Sequence, residues 1–586
     1  MVLNLIAIAL TFGIAYAWVT RGFFSAFLHM VCVLIAGAVA FGFWEVTSLA
    51  IVDNAPSGFL AIAGDAAWGL GLIGPFVLSL VLLRLIVDSL VKGNAQVDDS
   101  MNYVGGAVCG LVSGVLSAGI FINAVSFMRV PSAFFGHQPV TYGVSGNLQK
   151  SSNLWIPVDA IAASFYGHLS TNVASTGTPL ATYYPDLPVA AGTQRMSDGE
   201  GDNRNSIPTD AVALTSSFTV GKAGGSAADV LSGFNAPSTQ QVSGLDGNPV
   251  PNPYIVGYVV NFTAGAREST GQIVLSKGQA RLVTRDETSG ELLTSFPIAV
   301  SAQAAAGEDT FGRYRFETEG THIASVGGAA EAPMAIEFAV PRGHEPVSLY
   351  VKNVRLDISN VESRDYANAS GRDIDIRSGN LLGGTRAENL DTTNALIAET
   401  PRQGNPAGIV INARLPRGFQ LQKGNTRGIE INDENEITTG TQAFALSEVG
   451  IRGVTRELIV SDFASTLDTA VVQVTMTGDP NQIPSSVFGP AAAAFQNSEQ
   501  PRLIDANGRI YPAIGYIYKD REKAEIRYSP SDPLGSMSDA PGLSNTRDDQ
   551  EMIMVFGVSD GVQIQHLAIG DVVLVTYEPA VTANRR

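Results

Sequence analysis

The chain has 586 residues, with 37 Lys+Arg against 55 Asp+Glu and a formal charge of −18. That length predicts several domains, and the acidic balance excludes a nucleic-acid partner, because phosphates call for a basic patch. Two cysteines in all leave neither a disulfide framework nor a multi-cysteine zinc site. The averages hide two different materials. Residues 1–130 are almost continuously apolar and hold three of the four tryptophans, whereas residues 131–586 are polar, acidic and cysteine-free.

Four apolar runs, Leu3–Val19, Phe23–Trp44, Ala66–Leu90 and Tyr103–Met128, approach or exceed the roughly 20 residues that a helix needs to span a bilayer. The first also resembles a signal peptide, with Ala15-Tyr16-Ala17 in cleavage-site form. No basic segment precedes it, so it is read as a retained helix. Arg21 and Lys92 sit in the turns after the first and third runs, while the loop after the second holds Glu45, Asp53 and Asp65 and no base. The positive-inside rule then puts Arg21 and Lys92 in the cytoplasm and both ends of the bundle outside, with Arg129 voting the other way.

The fourth run carries Gly106, Gly110, Gly114 and Ala118, small residues every fourth position that form one groove for close backbone approach. That groove serves packing within the bundle or contact between copies. Arg84 and Asp88, four apart on the third run, form an intramembrane charge pair, functional or snorkelling to water from the helix end. Gly69, Gly71 and Gly74 match a dinucleotide fingerprint by accident, since no strand precedes them.

The first 170 residues resemble the colicin V production protein family, CvpA, of bacterial inner-membrane proteins. Arg21-Gly22-Phe23, the Gly106/Gly110/Gly114 ladder and Ser152-Asn153-Leu154-Trp155-Ile156-Pro157 carry the likeness. The resemblance implies a four-helix membrane topology and a link to toxin export. The chain departs from the family pattern at Ala26, at Asn102-Tyr103 and at Ser113, where such proteins carry charged residues. A transport role resting on those charges would be lost here.

Beyond the bundle, Val158, Ile161, Ala162, Phe165 and Leu169 after Pro157 predict an amphipathic helix over 157–170, in the headgroup plane or on the bundle. The rest of 131–252 reads as polar linker, with Asp198-Gly199-Glu200-Gly201-Asp202 as a solvated acidic loop rather than a calcium loop. Past Asn252, short alternating runs such as Tyr254–Phe262 predict strands, and Gly489–Gln496 a short helix.

Residues 334–356 and 552–574 align without gaps. Met334, Phe338, Val340, Gly343, Leu349 and Leu356 match Met552, Phe556, Val558, Gly561, Leu567 and Leu574, and Arg281-Leu282-Val283 recurs as Arg502-Leu503-Ile504. Each copy reads as a hairpin turning at its glycine, so two tandem β-sandwich-like domains are expected at 253–360 and 405–586, joined by a connector at 361–404.

Catalytic signatures are missing: no H-E-x-x-H, C-x-x-C, G-x-S-x-G or phosphate-binding loop occurs. The six histidines are scattered singly, His344 and His566 lying near matching turns. Asp373 and Asp375 are expected on one strand face, and Asp433, Glu434 and Glu436 form an acidic surface cluster. No catalytic residue, cofactor or metal is assigned, and the protein is not expected to be an enzyme, a membrane-tethered hydrolase standing only as a third possibility. The expected role is a structural or assembly subunit of the bacterial envelope, anchored in the inner membrane with its β-rich part outside. Its partners would be membrane lipids, further copies of itself through the helices, and other envelope proteins through the β domains. The alternative is an export or channel component.

Overall fold

The computed structural model describes residues 2–54, 64, 66–91, 93, 98–128, 135–143, 146–151, 154–172, 177–194, 204–225, 230–231, 242–268, 271–304, 310–316, 322–383, 386–402, 404–406, 408–450, 456–477, 499–543 and 549–585. Lys92, Arg129, the 198–202 acidic loop and the alanine-rich stretch 489–496 lie outside them.

Four helices, α1 (Val2–Val19), α2 (Phe23–Asp53), α3 (Ala67–Leu90) and α4 (Asp99–Ser126), are long and apolar enough to cross a membrane. They run up and down as neighbours. At one end the Asn102 side chain accepts the Phe23 amide at 2.7 Å, tying the start of α4 to the start of α2. At the other, Trp44 packs against Trp68 and Phe127, with ring centroids 5.3 and 4.8 Å apart. Two ends differ from expectation. The Asp98 side chain accepts from the Ser100 amide, so α4 begins four residues before Tyr103. Helix α2 does not stop at Trp44. Its 31 residues, about 46 Å at 1.5 Å per residue, carry Glu45 and Asp53 as helical residues rather than loop. The physical reason is that Ser48 and Val52 stay buried, so the stretch gains by remaining a packed helix.

Helix α5 (Val158–Thr171) begins after Pro157 and lies on the bundle. Its Tyr166 hydroxyl donates to Val33 O at 3.1 Å, and the Asn123 amide donates to Asp159 O at 3.0 Å. Ile161 and Phe165 on another face are exposed, as are Trp155 and Ile156 just before it. A hairpin (Val140–Tyr142 with Leu148–Lys150) and the short helices α6 (Leu180–Tyr183) and α7 (Leu187–Gln194) complete this layer.

The remainder is mostly β. A six-stranded sheet runs, in spatial order, Ser363–Tyr366, Val212–Val220, Pro253–Thr263, Glu331–Pro341, Pro297–Gln303, Phe311–Arg315. A four-stranded sheet runs Val354–Leu356, His344–Val351, Ala280–Asp286, Leu292–Ser295. Tyr258, Val300 and Ile336 of the first share one core with Leu282 and Leu349 of the second. The strand Val212–Val220 lies in what reads as linker, before the expected boundary at 253. A register shift between Leu214 and Ser216 breaks the alternation that would have disclosed it.

The connector 361–404 also holds structure. Its strand Ser363–Tyr366 extends the first sheet, and Leu396–Glu399 pairs in parallel with Val572–Thr582. Between them α8 (Ala369–Arg377) covers the outer face of the first sheet, burying Ile376 in a cluster with Phe218, Ile255 and Ala335. Asp373 and Asp375 are therefore helical and not on a strand face. The Asn368 side chain accepting the Gly371 amide starts this helix, too short for its period to stand out.

The C-terminal strands repeat the same pairings. Leu282 lies opposite Leu349, and Leu503 opposite Leu567. Ile336 sits between Tyr258 and Val300, and Met554, at the aligned position, between Val474 and Tyr516. Both hairpins turn at a left-handed glycine, Gly343 (φ 83°) and Gly561 (φ 82°). One difference separates them. Ile510–Lys519 pairs at its start with Pro501–Asp505 and at its end with Glu551–Ser559, joining the sheets. In the first copy that path is divided at Phe296 into Leu292–Ser295 and Pro297–Gln303, which belong to different sheets.

Candidate functional site

The small-residue ladder of α4 faces α1 of the same chain. A Cβ added at Gly106 would lie 3.5 Å from Val19 Cα, at Gly110 2.8 Å from Ala15 O, and at Gly114 closer still to Thr11 O. Ala118 is buried in a cluster with Leu3 and Ala7. The groove thus narrows towards the start of α1, and that helix fills it. Of the positions Ala26, Asn102, Tyr103 and Ser113, Tyr103 is exposed and the other three are held by packing or hydrogen bonds. Ala26 is fully buried, Asn102 holds Phe23, and the Ser113 hydroxyl donates to Cys109 O at 2.8 Å.

Arg84 and Asp88 do pair, at 2.7 Å, with Arg84 largely buried and Asp88 more than half exposed. Arg84 also reaches the Ser25 hydroxyl at 3.4 Å and lies 4.9 Å from the centre of the Trp18 ring, as does Arg21. His29 stacks on Trp18 at 3.9 Å. Buried polar atoms without a hydrogen-bond partner include His29 Nδ1 and Arg84 Nη1, an expense in a low-dielectric interior. This cluster from α1, α2 and α3 sits at the end of the bundle opposite the β sheets. Gly69, Gly71 and Gly74 are inside α3, where Gly71 packs on Ser48.

At the other end, polar and aromatic groups lock the bundle to the first β unit. Glu45 on α2 accepts from Arg355 Nε at 2.8 Å, and Asp53 accepts the Thr209 amide at 2.9 Å. Trp44 meets Tyr184 with ring centroids 4.8 Å apart and Tyr184 meets Tyr350 at 5.2 Å, both pairs tilted, with the buried Arg281 guanidinium 4.5 and 3.9 Å from the Tyr184 and Tyr350 ring centres. Arg281, Tyr350 and Arg355 are cross-strand neighbours, so they present one face. Burial raises the Tyr184 phenol well above its ordinary value and pushes Tyr350 up to about 12, so both phenols stay neutral, and the Tyr350 hydroxyl donates to Tyr183 O at 2.9 Å. The aligned residues of the second copy, Ala568 for Tyr350 and Val573 for Arg355, join Ile504 in a small apolar cluster with Leu390 packed on it. One copy of the hairpin has the chemistry for docking on the membrane bundle; the other is capped by its own chain.

A cavity of 540 Å³ opens between α5, the 140–150 hairpin, α6 and α7. His137 and Asp159, both almost fully buried, face each other at 3.7 Å, and Lys150 bonds Asp186 at 2.6 Å. Sequence reasoning missed this site, because its residues are single, unremarkable letters spread over some fifty positions.

The scattered candidates remain scattered. His344 faces Asp286 at 3.6 Å, and His566 bonds Thr576 at 3.0 Å, with burial pulling its imidazole below the ordinary value. Asp373 holds Arg372 at 2.7 Å, Asp375 accepts from the Tyr366 hydroxyl at 2.6 Å, and Glu436 closes a turn with Asn432. Cys32 and Cys109 are buried free thiols. Comparison with known protein families, curated proteins and solved structures finds no match for this chain.

Proposed function

We propose that this chain is a CvpA-like protein of the bacterial inner membrane that anchors two tandem β-sandwich-like domains on the extracytoplasmic side, as a structural or assembly subunit of an envelope complex. The observation that carries the reading is the joint. Glu45, Trp44 and Tyr184 meet Arg355, Arg281 and Tyr350 so that the β part continues from α2 without a free hinge. A scaffold needs such a coupling, whereas a tethered enzyme does not. The tandem-sandwich part of the reading is supported by the matched registers of the two copies and the core shared by two sheets. The outward orientation is supported by Arg21 lying at the far end of the bundle from the β sheets. Helix α1 takes the glycine groove, so self-association in this reading uses the lipid-facing side of α3, which buries no residue after Phe76.

Single cysteines at Thr20 and Thr392, both exposed, test the placement in cells with a membrane-impermeant maleimide. Labelling of Thr392→Cys from the periplasm, and of Thr20→Cys only after lysis, is expected; the reverse pattern overturns the orientation. Export remains the second reading, favoured by the unpartnered His29 Nδ1 and Arg84 Nη1 inside the bundle. Under it, Arg84→Gln with Asp88→Asn abolishes transport; an assembly subunit tolerates the pair.

A further inference from the structure

We propose that the cavity beside α5 binds the headgroup of a zwitterionic phospholipid bearing a primary ammonium. This rests on the membrane placement above and names a ligand for a site that placement leaves unassigned. The cavity exists because the side of α5 that faces it is cut back to Ala160, Ala163 and Gly167. Its 540 Å³ falls in the range of small-ligand pockets, about 300–1,000 Å³.

Three observations select the ligand. First, position: Ser164 and His168 at the mouth adjoin Ile161 and Phe165 on the helix surface, and those two apolar side chains are exposed. With Trp155 and Ile156 they make an apolar edge of the kind that lies in the interfacial layer of a bilayer. A ligand whose head occupies the cavity can lay its chains along that edge. Second, charge: the lining offers two base–acid pairs, Lys150 with Asp186 and His137 with Asp159, with the His168 imidazole besides at the mouth. A net anion or net cation would leave one partner opposed, whereas a zwitterion supplies a phosphate for Lys150 and an ammonium for Asp186. Third, donors: a primary ammonium gives three N–H groups to carboxylates, which a trimethylammonium cannot. The half-exposed Lys150 and the partly exposed Asp186 keep these charges at the rim, where a headgroup enters.

The test uses the full-length protein reconstituted in nanodiscs with equal parts phosphatidylethanolamine, phosphatidylcholine and phosphatidylglycerol. It is then released into mild detergent and weighed by native mass spectrometry. One retained phosphatidylethanolamine per chain is expected, at least tenfold over the other two lipids. Ala160→Phe, which fills the cavity from α5, is expected to abolish retention with the thermal transition unchanged. Lys150→Ala, at the exposed rim, provides the same readout without added bulk and is expected to lower retention at least fivefold. Equal retention of the three lipids, or retention unaltered in a folded Lys150→Ala protein, overturns the proposal. So does glycerophosphoethanolamine binding as tightly as the intact lipid, which would make the ligand a soluble zwitterion. A chain that fails to enter nanodiscs at all would instead overturn the membrane placement.

Discussion

The glycine ladder yields a graded prediction. A methyl group at Gly106 would meet Val19 Cα at 3.5 Å, an ordinary contact, whereas at Gly110 it would lie 2.8 Å from Ala15 O and 3.0 Å from Ala15 Cα. At Gly114 it would overlap the Thr11 carbonyl, which is backbone and cannot rotate away. Replacing glycine by alanine gains up to about 1 kcal/mol of helix propensity, and overpacking costs about 1–3 kcal/mol. Gly106→Ala should therefore be neutral or slightly stabilising, by no more than about 1 kcal/mol. Gly110→Ala should lose about 1 kcal/mol net, and Gly114→Ala about 2 kcal/mol or more, because α1 must move off α4. The assay is unfolding of the purified protein in mixed micelles by SDS, followed by tryptophan fluorescence, since Trp18, Trp44 and Trp68 all lie in the bundle. Oligomer mass measured on the same samples separates packing within a chain from contact between chains. Equal losses at all three glycines, or a change in oligomer mass with monomer unfolding untouched, would refute the view that α1 fills this groove.

The other predictions concern the β part and its joint. Arg355→Ala leaves Glu45 poorly solvated and should weaken the joint by about 1–3 kcal/mol, seen as faster hydrogen exchange across residues 180–194; Glu45→Gln on top should add little if the two act as a pair. Glu337 is fully buried between Arg313 and Arg372, so Glu337→Gln should cost about 3–5 kcal/mol in thermal unfolding, while Glu337→Val with Arg313→Met, which leaves Arg372 to Asp373, should recover part of it. The second copy supports that repair, for it carries Val555 at the aligned place, packed among Ile517 and Ile526. Burial raises the Glu337 carboxyl, but the two guanidiniums reverse this and hold it below its ordinary value. Its stabilising contribution is therefore complete above the unfolded carboxyl range, near about pH 4.3, and disappears as pH falls through the lower folded value; an acid limb that is the same in Glu337→Gln would contradict this. Lys277, buried with Nζ on Gly146 O at 2.8 Å, is lowered by burial to about 8. Between pH 8 and 10.5 the unfolded chain holds more protons at this site, so stability should rise with pH by up to about 3 kcal/mol, a rise that Lys277→Met removes.

What the sequence determined by itself follows from short-range rules. A helix in lipid must satisfy its own backbone, so each span is written as a long apolar run, and four runs became four helices. A strand writes itself as alternation, and the aligned hairpins at Gly343 and Gly561 did turn where glycine permits a positive φ. The end of α2, by contrast, was decided by partners: Glu45 reads as a loop acid until Arg355, 310 positions later, comes to meet it. Asp373 and Asp375 read as strand residues because α8 is brief and is held by the sheet face it covers. The ladder of small residues announced that a backbone would come close, but only the fold could say whose, since a groove records the width of its occupant and not its origin. The cavity was invisible for the same reason: it is made of what Ala160, Ala163 and Gly167 leave empty between segments that only tertiary packing brings together.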